Sequence, residues 1–234
     1  MSISGGVMTN LGTLPGGDNS YATGINEAGQ ISGYSSAATH GPVVSFLYSG
    51  GTMTNVGTLG GSSSQAFGIN ATGQMAGYSL VGGDAYDHAY LYSSGVMHDL
   101  GTLTGGNSYG YGLNDAGQVV GDDQSPTNVN RAFVWSGGTM TDLNTLLDSS
   151  GAGWSLSSAF GISDSGEIVG YGNIDGIRHG FLLTPVPEPA TLTGFGCALV
   201  GLIARRRRRS DRSRSELRPK APQRPNAQRR FIPG

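Results

Sequence analysis

"AFGINATGQMAGYS" (residues 66–79) decides the fold, because the chain says it four times. Its counterparts are "ATGINEAGQISGYS" at 22–35, "GYGLNDAGQVVGDD" at 110–123 and "AFGISDSGEIVGYG" at 159–172. Each reads as two short alternating strands around a tight turn. In "GINEAGQI" the Asn26 side chain can bond back to the backbone. Gly29 can supply the positive φ that the loop needs, and the same glycine recurs as Gly73, Gly117 and Gly166.

Outward from this core, two more signatures recur. One precedes it: "SGGVMTNLGTLPGG" at 4–17, "SGGTMTNVGTLGG" at 49–61, "SSGVMHDLGTLTGG" at 93–106 and "SGGTMTDLNTLLDS" at 136–149. Their methionines, Met8, Met53, Met97 and Met140, lie 45, 44 and 43 residues apart. The other follows it: "SFLY" at 45–48, "HAYLY" at 88–92, "RAFVW" at 131–135 and "HGFLL" at 179–183. "FLYSGGTMTNV" is a second hairpin, with a Gly-containing turn. Residues 1–183 are therefore expected to be an all-β repeat of about four four-stranded units, without a helix of useful length.

A unit of that length with four strands predicts a β-propeller-like architecture, with an open stack of β-units as the alternative. Small residues at alternate positions (Ala22 and Gly24, Ala66 and Gly68, Gly110 and Gly112, Ala159 and Gly161) would suit strands crowded near an axis. The last unit lacks its "VMTNL"-type strand and the N-terminus has a spare one. Pairing them would close a ring and remove both sheet edges. The repeat resembles the HAF family of extracellular repeats. "HAYLYSSGVMHDLGTLTGG" carries the likeness best, although the naming tripeptide varies from Val44-Ser45-Phe46 to His179-Gly180-Phe181. The resemblance implies an exported bacterial protein and no reaction.

Charge divides the chain. Residues 1–183 hold two basic residues, Arg131 and Arg178, against 13 acids; residues 184–234 hold 12 basic residues against three acids. The boundary is "VPEPATLTGFGCALVGLIARRRRR" at 186–209. Val186, Pro187, Glu188 and Pro189 sit in a linker at 184–189 that the prolines make unfit for a strand. Residues 190–204 are uncharged. As a helix they span about 22 Å, short of a bilayer core, but Arg205, Arg206, Arg207, Arg208 and Arg209 follow at once and can snorkel to headgroups. A transmembrane helix is expected there, then a disordered basic tail at 205–234. Cys197, the single cysteine, excludes an intrachain disulfide and is expected to act as a small apolar residue.

The three parts together resemble the PEP-CTERM sorting signal. That resemblance implies a secreted protein held in the inner membrane of a Gram-negative bacterium, with its arginines cytoplasmic, until an exosortase-type protease cuts near the motif. It implies a final place at the cell surface or in an extracellular polysaccharide matrix. Two features depart from it. "MSISGGVMTNLGTL" has no basic n-region and no apolar h-region, so it is not a signal peptide. The extension at 210–234 runs beyond where such signals stop.

Catalytic, cofactor and metal chemistry find no foothold. His40, His88, His98 and His179 have no ligand spacing. Asp122 and Asp123, read as a loop cluster, would face opposite ways on a strand. "NEAG", "NDAG" and "SDSG" lack calcium-loop ligands and read as turns. "ISDSGEIV" lacks the Ser and Trp of the glycosidase-propeller turn, and no phosphate loop is present. The leading expectation is a non-catalytic exported repeat protein that is released after processing. Its partners would be the membrane, the protease and polysaccharide, the last through Tyr34, Tyr78, Tyr90, Trp135 and Trp154. The alternatives are a hydrolase on a propeller scaffold and nucleic-acid binding through the arginines. An acidic body and the lack of aromatic partners for those arginines argue against the latter.

Overall fold

In a computed structural model, the protein is described over residues 6–186. Fifteen strands form four separate antiparallel sheets. The first is β1 (Ser20–Ile25), β2 (Ile31–Ser36), β3 (Val43–Ser49) and β4 (Thr52–Gly57). The second is β5 (Gly60–Ile69), β6 (Met75–Val81), β7 (Asp87–Ser93) and β8 (Val96–Asp99). The third is β9 (Asn107–Leu113), β10 (Val119–Gln124), β11 (Asn130–Ser136) and β12 (Thr139–Asp142). The fourth has three strands, β13 (Ser155–Ile162), β14 (Ile168–Ile174) and β15 (Ile177–Leu183). Each sheet is a meander of neighbouring strands, so the repeat read from the sequence is one sheet per unit.

Both hairpin readings hold. In the β1–β2 turn Asn26 Oδ1 accepts from Ala28 N and Gln30 N, at 3.1 and 3.0 Å, and Gly29 sits at φ +71°. The β3–β4 turn places Gly50 and Gly51 at φ +58° and +84°, the mirror-image turn that matches strand twist. Asp122 and Asp123 lie on β10 and not in a loop.

The sheets stack in chain order, the first strand of each packing on the second and third strands of the one before. Ala76, Ala89, Leu91, Leu100, Val119 and Phe133 fill the space between the second and third sheets. Val120, Ala132, Leu143, Leu156, Ala159 and Ile168 fill that between the third and fourth. The small residues of the first strands are crowded by the neighbouring sheet, not by an axis. A methyl on Gly68 would meet Leu113 at 2.9 Å, and one on Gly112 would meet the Phe160 carbonyl at 2.6 Å.

The strand expected to close a ring does not do so. Residues 6–12 are in no strand, Val7 and Met8 are 92% and 94% exposed, and among the described residues β15 pairs with β14 alone. Among the described residues no pairing links the first sheet to the fourth. The segment enters the first sheet through the ordinary joint: Leu14 packs with Val44 and Phe46 and its N–H donates to Ser35 Oγ at 3.0 Å, as Leu59 N donates to Ser79 Oγ at 2.9 Å. Among the described residues the four sheets form no closed barrel. Among the described residues no helix is long and apolar enough to cross a membrane. The expected helix at 190–204 and tail at 205–234 lie outside the described residues.

Candidate functional site

Every first strand carries a β-bulge at one repeated position, occupied by Thr23, Phe67, Tyr111 and Phe160. A bulge adds an unpaired residue and re-aims its side chain. The facing glycine of the second strand makes room. At Gly77 and Gly121 a methyl would collide with the carbonyl oxygens of Gln65 and Tyr109.

The re-aimed rings line up across the sheets. Phe67 and Tyr111 have centroids 5.7 Å apart, and Tyr111 and Phe160 5.4 Å apart. Second-strand tyrosines flank them, with Tyr78 5.6 Å from Phe67 and Tyr171 5.8 Å from Phe160. Tyr109 fills the gap between Tyr78 and Tyr111, at 4.9 and 6.4 Å. The Arg178 guanidinium caps the Tyr171 ring at 4.4 Å. On the first sheet Thr23 replaces the ring, its hydroxyl donating to the Ala66 carbonyl at 2.8 Å, and Tyr21 stacks on Tyr34 at 5.0 Å. Tyr21 and Phe160 are 55% and 51% exposed, and the other rings of the row are half-buried. The result is a strip of aromatic faces open to solvent.

Two carboxylates are set into this strip. Asp122 occupies the position that is tyrosine in the other units: Tyr34, Tyr78 and Tyr171. It is 5% exposed, and burial pushes its pKa up to about 6. Its Oδ2 accepts from Asn130 Nδ2 at 2.9 Å, whereas buried Oδ1 has no partner among the described residues. Asp87 approaches the Tyr109 hydroxyl at 3.5 Å, and burial raises its pKa too. Burial and Asp87 together push the Tyr109 phenol up to about 12, and burial drives Tyr111 higher still. These phenols stay protonated over the whole physiological range. Asp123 faces away and accepts from Leu103 N at 2.7 Å, tying β10 to the segment that leads from the second sheet into β9.

Of the five aromatics expected to meet a ligand, the structure places Tyr34 and Tyr78 at the strip. Tyr90 is wholly buried, its hydroxyl 2.8 Å from Ser45 Oγ. Trp135 packs on the core between the second and third sheets, and Trp154 on the next. Sequence reading missed Phe67, Tyr111 and Phe160, although each is the middle residue of the small-x-Gly triplet that marks the bulge. His88 and Arg131, at one repeat position, pair with Asp99 and Asp142 of the adjoining fourth strands at 2.9 and 3.1 Å. Among the described residues no group of three or more His, Cys, Asp or Glu is placed to hold a metal ion.

The second candidate site is the C-terminal segment. Val186 is its one described residue and is 75% exposed. Pro187, Glu188, Pro189 and Arg205 to Arg209 lie outside the described residues. Residues 185–209 match the PEP-CTERM protein-sorting motif. No curated protein sequence matches the chain. The motif marks a membrane-associated, exported protein sorted by exosortase-type processing.

Proposed function

We propose that the chain is a non-catalytic repeat protein of a Gram-negative cell envelope. It is anchored through residues 190–204 with Arg205 to Arg209 in the cytoplasm, cut near Val186–Pro189, and released to the cell surface or its polysaccharide matrix. The observation that carries this reading is the sorting motif at 185–209, placed directly after the last strand of the sheets. The likeness of the repeats to the HAF family supports an extracellular site.

The sheets then serve as a binding surface, and the aromatic strip supports polysaccharide as its ligand. Sugar rings present flat C–H faces that stack on half-exposed aromatics, while their hydroxyls meet phenols and the half-buried carboxylate of Asp87. The test is substitution of Pro187, Glu188 and Pro189 by Ala in the native host. The reading predicts full-length chain accumulating in the membrane fraction, with none released. Unchanged release of a shortened chain contradicts it.

A further inference from the structure

One joint between sheets is built twice along the stack, at its first and second steps, while at the third Asn144 takes its place by bonding both the N–H and the carbonyl of Leu156. Inside the chain it has fixed parts. Ser64 Oγ donates to the Gly57 carbonyl at 2.7 Å and accepts from Ser45 N of the preceding sheet at 2.8 Å. Ser108 repeats this with the Gly101 carbonyl at 2.6 Å and Ala89 N at 2.8 Å. The glycine N–H reaches back two residues to the side chain of Asn55 or Asp99. A buried aromatic, Phe46, Tyr90 or Phe133, completes each third strand with no exposure at all.

At the N-terminal end the same parts stand ready without the preceding sheet. Ser20 Oγ donates to the Gly12 carbonyl at 2.7 Å, and Gly12 N donates to Asn10 Oδ1 at 3.0 Å. Gly12 has φ +78°, beside +88° and +72° for Gly57 and Gly101. Residues 7–11 thus stand where a fourth strand would begin, residues 7–10 exposed, and among the described residues they join no sheet. At the other end, β15 has one unpaired edge among the described residues. Gly180, where Ser45, Ala89 and Ala132 are buried, is exposed, and Ile177 and Leu182 are 61% and 64% exposed.

We infer that one copy of the protein docks on the next, residues 7–11 of one completing the fourth sheet of another beside β15. The β1 face then covers β14 and β15, as β5, β9 and β13 cover the sheets before them. The occupant is a second copy of this chain because the contact continues, by one more step, the interface that already joins its own sheets. The donated strand adds main-chain hydrogen bonds to an open edge. The interface is head-to-tail, so each copy that docks leaves a further end open to the next. The register follows from Met53 opposite Tyr48, Met97 opposite Tyr92 and Met140 opposite Trp135. It sets Met8 opposite Leu183 and Asn10 opposite Phe181.

The experiment uses the full chain in detergent with Cys197→Ser, to remove the native thiol, and with Met8→Cys and Leu183→Cys. Met8 is exposed, whereas Leu183 is half-buried at the rim of the core between the third and fourth sheets, so a denaturation midpoint close to that of the parent chain is required of the variant before oxidation. Mild oxidation is expected to give a disulfide-linked ladder of dimers, trimers and longer species. It should exceed by about fivefold or more the yield of the off-register pair Met8→Cys and Ile177→Cys, since a disulfide tolerates only a narrow Cα separation. Without cysteine substitution, the sedimenting mass is expected to rise with concentration in whole-chain steps. A monomer bearing an internal disulfide would overturn the inference, by showing that the chain closes its own ring. Equal ladders from the two pairs, or none from either, would overturn it as well.

Discussion

Asp122 is the residue where the repeat departs most from itself, a carboxylate among tyrosines. Its folded pKa of about 6 stands above the ordinary 3.8. Between those values the folded state therefore holds more protons than the unfolded one. Stability should fall as pH rises from about 4 to 6 and stay lower above that. Asp87, shifted the same way by burial, adds to the slope. Asp122→Asn should flatten the profile and raise stability at pH 7 by about 1–3 kcal/mol, read as denaturation midpoints across pH. A slope unchanged in the variant would place the titration elsewhere. The glycines facing the bulges make a second test. Gly77→Ala, where the methyl meets the Gln65 carbonyl, should cost about 3 kcal/mol or more. Gly82→Ala, with open space around it, should be neutral within about 0.5 kcal/mol.

Between elements, an amide ladder runs along the turns. Asn26 Nδ2 donates to the Asn70 carbonyl at 3.0 Å, Asn70 to that of Asn114 at 3.0 Å, and Asn114 to that of Ser163 at 3.1 Å. Serine in the fourth unit ends the ladder. Asn70→Ser should therefore cost about 1–3 kcal/mol by stranding buried groups, while Ser163→Asn should change stability by less than about 0.5 kcal/mol, both by chemical denaturation. On the strip, Tyr111→Ala should weaken binding of the host's extracellular polysaccharide about tenfold by calorimetry, the loss of roughly 1.5 kcal/mol of stacking. Trp154→Ala, within the core, should lower stability and leave affinity in the folded fraction unchanged. The hairpins were legible in the sequence because their signals are local: Asn26 and Gly29, Gly50 and Gly51. The bulge was written there too, in Ala66-Phe67-Gly68 and its counterparts. Yet alternation implies a regular strand, and a regular strand would not have turned Phe67 into the strip. Burial of Tyr90 depends on which sheet follows it, a fact of stacking that no local window carries.

At the scale of the whole molecule, two kinds of information meet. The order of the sheets follows from repeat length. Among the described residues no strand pairing joins the first sheet to the fourth, although the phase of the repeats offered one. The destination of the chain is written separately, in the 25 residues matched to the sorting motif. The measurement that tests this most directly is the intact mass of the protein recovered from its native host, in membrane, periplasmic and released fractions. The account predicts a released form lighter than the 24.0 kDa of the full chain, with its C-terminus between Val186 and Pro189. A full-length chain confined to the cytoplasm would contradict it.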